Sequence, residues 1–446
     1  MNDASESFML QEIPLTWTWC RLPQLGELNR GKSRHRPRND PSLFGGAYPF
    51  VQTGDVRSAD RFITKAMQHY SEFGLAQSRL WPPGTVCITI AANIAETAIL
   101  AIPACFPDSV VGFLADERVA DGSYVELFIR TARESLERFA PATAQKNINL
   151  DVLSNVYVPV PPLPEQRRIV AKLDALDASS KRARADLDRI PALVARAKQA
   201  ILAKLFEAEA LGGLHRLCEV CLSISDGDHQ APPKADTGIP FITISAMNDG
   251  RLALSKASRF VPENYFTSLK PIRRAKRGDV LFSVTGSIGI PALVDTDAPF
   301  VFQRHIAVLK VDRNVLFERY LTLILAAPQI RTQAENVATG TAQLTIPLNG
   351  LRAFKIPVPS IAAQMEIVRR IEAAFQKIDR MAAEAASASK LLDRLDQALL
   401  AKAFRGELVP QNPEDEPAAK LPERIKTSSA AEPQKRTRGR KAGAKA

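Results

Sequence analysis

The chain has 446 residues, more than one hydrophobic core usually organises, so a single-domain protein is excluded. A net charge of +11 and a pI near 9.5 point to a polyanionic partner, while 46% hydrophobic residues allow sizeable cores. Five cysteines, an odd number, argue against a disulfide framework and for a reducing compartment. The start of the chain carries Asp3 and Glu6 where an export signal needs bases, so a cytoplasmic protein is expected. The most apolar window, Val86 to Cys105, contains Asn93, Glu96 and Pro103 and reads as sheet core, not a membrane span.

In chain order, residues 1–157 read as a mixed α/β domain. Gly26-Glu27-Leu28-Asn29-Arg30-Gly31-Lys32-Ser33 has the letters of a P-loop, but a P-loop needs a buried strand before it and a helix after it. Pro23 precedes this stretch and Pro37 and Pro41 follow it, so a basic surface loop is expected instead. Arg30, Lys32, Arg34, Arg36 and Arg38 fall within nine residues and are candidates for contacting phosphates or guanine edges. Tyr48-Pro49-Phe50-Val51 begins a strand, Thr85 to Ile90 is strand-like, and Tyr124 to Phe139 is helical. Pro159, Pro161, Pro162 and Pro164 then form a linker, with Pro164 suited to the first turn of the next helix.

That helix carries an apolar or small residue at Ile169, Leu173, Leu176, Ser180, Ala183, Leu187, Ile190, Val194, Ala197 and Ile201. Steps of four and three without a slip predict a coiled-coil seam. Pro191 predicts a kink without a break. The whole stretch recurs 198 residues later, with no insertion: Pro159-Val160-Pro161 falls on Pro357-Val358-Pro359, Gln166 on Gln364, and Phe206 on Phe404. The second seam is Ile367, Ile371, Ala374, Ile378, Met381, Ala385, Ala388, Leu392, Leu395 and Leu399.

Between the helices, residues 214 to about 355 repeat the first domain loosely. Ile239-Pro240-Phe241-Ile242 echoes Tyr48-Pro49-Phe50-Val51, Ser287-Ile288-Gly289 echoes Asn93-Ile94-Ala95, and Thr341-Ala342-Gln343 repeats Thr143-Ala144-Gln145. A second basic cluster is Lys270, Arg273, Arg274, Lys276 and Arg277. Residues 410–446, rich in proline and charge and poor in apolar residues, are expected to be disordered. Nine Lys and Arg against five Asp and Glu after Pro410 supply +4 of the +11. Cys218 and Cys221 have metal-ligand spacing but no second pair, so no metal is expected. Neither a catalytic constellation nor an Asn-Pro-Pro-aromatic methyltransferase motif is found, since the only Asn-Pro is Asn412-Pro413.

Two units, each ending in Thr-Ala-Gln, a proline-rich hinge and a long heptad helix, resemble the specificity subunit of Type I restriction–modification systems. Leu163-Pro164-Glu165-Gln166-Arg167-Arg168-Ile169-Val170 carries the resemblance, with the weaker copy Ile361-Ala362-Ala363-Gln364-Met365-Glu366-Ile367-Val368. Ile13-Pro14-Leu15-Thr16-Trp17, the Gly31-Lys32-Ser33 loop and Gln303-Arg304 also fit, which adds Arg304 to the candidate DNA contacts. Ala363 in place of Glu165 is a departure that questions any role shared by that position. The resemblance implies an α/β (α+β) fold of two similar target-recognition domains, 1–157 and 212–355. They are joined by two long antiparallel coiled-coil helices with their hinges, 158–211 and 356–409, in a pseudo-twofold repeat. It implies that the chain is non-catalytic and binds double-stranded DNA at a split, asymmetric site. Two methyltransferase subunits and ATP-driven restriction subunits are the implied partners, with S-adenosylmethionine, ATP and Mg2+ on them and no cofactor here. A helix of 42 residues, Glu165 to Phe206, would be about 63 Å long, enough to space two recognition elements about one duplex turn apart. The rival expectations are a DNA-free coiled-coil adaptor and an enzyme, either a P-loop NTPase or a free-standing methyltransferase.

Overall fold

The computed structural model describes residues 12–35, 37–91, 94–138, 148–207, 213–228, 232–248, 250–257, 259–341 and 343–420. Arg36, Asn93, Thr143-Ala144-Gln145 and the tail beyond Lys420 lie outside the described residues. The chain divides into two compact units, one running to Ala185 and resuming at Ser389, the other Asp186–Ala388. Each therefore contains part of the first long helix, Leu163–Glu207, and part of the second, Ile361–Phe404.

Among the described residues the first unit has nine strands: β1 (Thr18–Arg21), β2 (Gly26–Arg30), β3 (Phe44–Phe50), β4 (Phe62–Ile63), β5 (Gln68–Tyr70), β6 (Val86–Thr89), β7 (Thr97–Leu100), β8 (Val110–Ala115) and β9 (Tyr157–Val160). Its main sheet has the order β2-β8-β6-β7-β4, antiparallel except for the β4–β7 pair. Strand alternation sorts β6 between two cores. Val86 and Ile88 meet Tyr124, Phe128 and Ile129 of α1 (Gly122–Arg138), while Cys87 joins Trp81, Leu100 and Phe106 on the opposite face.

The second unit has β10 (Leu214–Arg216), β11 (Cys221–Asp226), β12 (Ile239–Ile242), β13 (Met247–Asn248), β14 (Gly250–Leu252), β15 (Arg259–Val261), β16 (Val280–Ser283), β17 (Pro291–Leu293), β18 (Val301–Phe302), β19 (Ile306–Val311) and β20 (Lys355–Pro357). Its main sheet runs β11-β19-β16-β17-β14-β13. The first five strands match β2-β8-β6-β7-β4 one for one, and α2 (Glu318–Leu325) covers the face that α1 covers in the first unit. In both units the strand that enters the domain pairs antiparallel with the strand that leaves it, β1 with β9 and β10 with β20. Pro159 and Pro357 lie in these strands, in two-stranded ribbons where the missing amide is tolerated.

One side chain repeats its bonds in both units. The Gln166 amide accepts from Asp121 N (2.8 Å) and donates to Val119 O (3.1 Å) and Pro161 O (3.0 Å). Gln364 accepts from Phe317 N (2.8 Å) and donates to Val315 O (2.9 Å) and Pro359 O (2.7 Å). Both glutamines are fully buried. Tyr124 and Tyr320 reinforce the joint by donating to Pro159 O and Pro357 O.

Within each unit the long helices pack antiparallel. Ser180 donates to Asp396 (2.8 Å) and Arg184 bridges Asp393 and Asp396 in the first unit, and Lys198 pairs with Asp379 (2.6 Å) in the second. The first helix runs unbroken through Pro191, and all ten of its expected seam residues are buried or half-buried. In the second helix Ile367, Ile371, Ile378, Leu392 and Leu399 are too, but Met381 and Leu395 are exposed at 58% and 48%. Ala382 and Asp396 take their places facing inward. The covered stripe from Ile367 through Ala382, Ala385, Leu392 and Asp396 to Ala403 follows the natural period of about 3.6, and a strict heptad drifts off it by roughly 20° per repeat.

The expected disorder from residue 410 fails for residues 411–420. A 3-10 turn at Ala418–Lys420 ends this stretch, Ala418 is fully buried, and its amide donates to Thr16 O (2.9 Å). Gln411 and Asp415 reach the start of the first long helix, at Glu165 (2.6 Å) and Arg168 (2.7 Å).

Two predictions arise here. Gln166→Ala or Gln364→Ala leaves three main-chain groups without their partner and should cost about 3 kcal/mol in chemical denaturation, confined to the unit concerned. Burial pushes the Glu165 carboxyl above its ordinary range, against opposing hydrogen bonds from Gln411 and Trp17. A raised folded-state pKa means the native state holds the proton more tightly. Stability from this group should therefore fall as pH rises from about 4.3 through the raised value. Subtracting the unfolding profile of Glu165→Gln from the native one isolates that slope.

Candidate nucleic-acid interface

The first basic cluster starts at the end of β2. Arg30 donates twice to Asp108 O (3.0 and 2.8 Å), and Arg38 pairs with the Asp108 carboxylate (2.7 Å). Lys32 and Arg34 are exposed and make no side-chain bond to the described residues. Gly31 is buried beneath them, where a Cβ would fall 2.3 Å from Pro107 O and 2.4 Å from Phe106 O. Asp40 caps the turn Pro41–Leu43. Its carboxyl is held down at about 2, chiefly by hydrogen bonds from Ser42 and then by His35 at 2.7 Å. The rival P-loop, set aside above on its prolines, finds no support here. Gly26–Arg30 is itself a strand paired with β8, extended chain follows, and the next helical element is only the three-residue turn Pro41–Leu43.

The second cluster divides similarly. Arg273 lies between Asp228 (3.0 Å) and Asp226 (3.7 Å), and Arg274 donates to Leu269 O and Thr267 O with its guanidinium against Phe266. These two arginines hold the fold. Arg277 pairs with Asp297 at the surface (2.8 Å), and Lys270 and Lys276 are exposed and form no ion pair with the described residues. The clusters are not equivalents in the fold. The first follows β2, whose counterpart is β11, whereas the second precedes β16, the counterpart of β6.

Arg304 is exposed beside His305, whose pKa is lowered by burial and then by the Arg304 charge. This turn sits where β16 ends: Val284 N donates to His305 O (2.8 Å) and Gly286 N to Leu344 O (2.9 Å). Thr339 and Thr345 exchange backbone bonds to close a tight loop, with Gly286 and Gly340 in left-handed conformation. Thr341 and Gln343 of this loop, and Ser287 beside Gly286, are exposed. Sequence reasoning marked Thr341-Ala342-Gln343 as a repeat but not as part of a site. Only folding brings Gln343 and Leu344 to Gly286, next to Ser287.

Duplicated sheets bearing unpaired cations and exposed polar loops, each clamped to a helix pair, define a two-part nucleic-acid recognition scaffold. The chain matches the model of the Type I restriction modification DNA specificity domain over residues 14–189 and again over 218–387, and belongs to that family. It is 28% identical over 323 residues to the Type I restriction enzyme EcoBI specificity subunit of Escherichia coli, covering 64% of this chain and 67% of that one. It is 24% identical over 471 residues to the StySPI specificity subunit of Salmonella potsdam, covering 97% and 99%. The fold resembles the crystal structure of the HsdS subunit from Thermoanaerobacter tengcongensis, with a TM-score of 0.61, 21% identity, and 89% and 98% of the two chains covered. Sequence-specific DNA recognition follows from this membership, and neither the NTPase nor the DNA-free adaptor finds support. No helix among the described residues is long and apolar enough to cross a membrane.

Gly31→Ala should lower the stability of the first unit by roughly 1–3 kcal/mol, because the methyl group meets backbone oxygens. Lys32→Ala should leave the thermal unfolding midpoint unchanged.

Proposed function

We propose that this chain is the non-catalytic recognition subunit of a Type I restriction–modification assembly, and that each unit reads one half of a split, asymmetric DNA site. The observation that carries this is the duplication itself. The same sheet, the same glutamine clamp and the same helix start occur twice, yet the loops they carry differ. A scaffold kept alike with loops made different suits two unlike half-sites at a set separation.

In this reading two methyltransferase subunits dock on the helices, and restriction subunits join them. The partners hold S-adenosylmethionine, ATP and Mg2+, flip the target base and carry out the chemistry in the cytoplasm. This chain holds none of these cofactors and only places its partners. Lys32, Arg34, Lys270, Lys276 and Arg304 are the candidate DNA contacts. Arg30, Arg38 and Arg277, each bound to an aspartate or its carbonyl, are secondary ones, and Arg273 and Arg274 support the loop.

Replacing residues 214–355 with those of a relative should change one half of the methylated motif, read by sequencing methylated DNA from cells carrying the whole system. Retention of both original halves would refute the assignment. Lys270→Ala and Lys276→Ala should each weaken binding to all sequences alike and reduce the salt slope of log K by roughly one. One extra heptad in a long helix should lengthen the unread gap between half-sites.

A further inference from the structure

Glu165 is a buried carboxyl, 1% exposed, in a position where the second copy of the helix start has Ala363. The two units differ in how their domains are tied to the helix pair. In the second unit residues 208–213 link the end of the first long helix at Glu207 covalently to β10 at Leu214. In the first unit the second long helix ends at Phe404 and β1 begins at Thr18, so no direct peptide connection exists between them.

Side-chain contacts fill that place. One oxygen of Glu165 accepts from the Trp17 indole (3.2 Å) and from the Gln411 amide (2.6 Å). Thr16 donates to the Gln411 carbonyl (2.9 Å), Arg168 pairs with Asp415 (2.7 Å), and Ala418 N donates to Thr16 O (2.9 Å). Gly406 turns the chain in left-handed conformation, where a Cβ would fall 2.4 Å from Pro14 Cγ. Every contact joins two of three segments: 14–17, the helix start at 165–168, and 406–418.

We propose that Glu165 is a positioning residue. With Trp17 and Gln411 it forms a non-covalent clasp that does for the first unit what continuous chain does for the second. Residues 406–420 are then a working part of the first domain's anchorage, not the beginning of a tail. Ala363 needs no carboxyl because the backbone already makes its connection. This inference stands on the contacts alone and holds whatever ligand the domains bind.

Amide hydrogen exchange on the full-length protein tests it. Glu165→Ala, Gln411→Ala and a chain ending at Gly406 should each speed exchange in β1 and β9 at least tenfold, with β10 and β20 unchanged. Glu165→Gln keeps an oxygen that accepts both bonds and should exchange like the native protein, an outcome that simple loss of a buried group would not give. Equal acceleration in both units, or Glu165→Gln as fast as Glu165→Ala, overturns the clasp, as does native protection in the shortened chain. Gln411 is at the surface, so Gln411→Ala decides the question even where Glu165→Ala does not fold.

Discussion

Everything in this architecture depends on how a domain with its own core is held to a helix that extends beyond it. The Gln166 and Gln364 amides solve that problem twice with one geometry. A primary amide has two donor hydrogens and a carbonyl, so a single buried side chain can satisfy a main-chain N–H and two carbonyls together. Such groups cannot turn to water, and leaving them unpaired is costly. The joint is therefore specific in direction as well as favourable in energy. Because one of the two bonded carbonyls in each unit, Pro161 O or Pro359 O, belongs to the proline hinge, the clamp also sets where each long helix begins.

The helix pairs add a second constraint, mixed in character. Apolar residues form most of the covered stripe, but Asp396 faces inward and is answered by Ser180 and Arg184. A carboxylate in a half-covered stripe keeps its place only with such partners. It gives the first unit's helix pair a register mark, as Lys198 with Asp379 does in the second. Exposed Leu391 and Leu395 leave apolar surface on the outer side of the second helix.

The basic residues show why sequence clusters and surface patches differ. Counting charges groups Arg273 and Arg274 with Lys270 and Lys276. In the fold the first pair is used up by aspartates, carbonyls and an aromatic ring, and the second remains available. Arg30 and Arg38 are likewise gathered by Asp108, seventy or more positions away in the chain. Asp108 and the aspartates that hold Arg273 lie forty or more positions away in the chain, and no local pattern announces them.

The sequence alone determined the duplication, the two long helices and the mixed sheet-and-helix domains. Each of these rests on periodicity and on repeated residues, which are properties of the one-dimensional chain. Family resemblance at 163–170 was legible for the same reason. Only the tertiary structure decided what Gln166 and Gln364 bind, why Glu165 has no acidic copy, and that residues 411–420 belong to the first unit. It alone also showed that Met381 and Leu395 turn outward and that the Gly31–Lys32 segment leads into no helix. These depend on groups brought together from distant positions and on slow drift of a 3.6-residue helix against a seven-residue count, and neither is written in any short stretch of sequence.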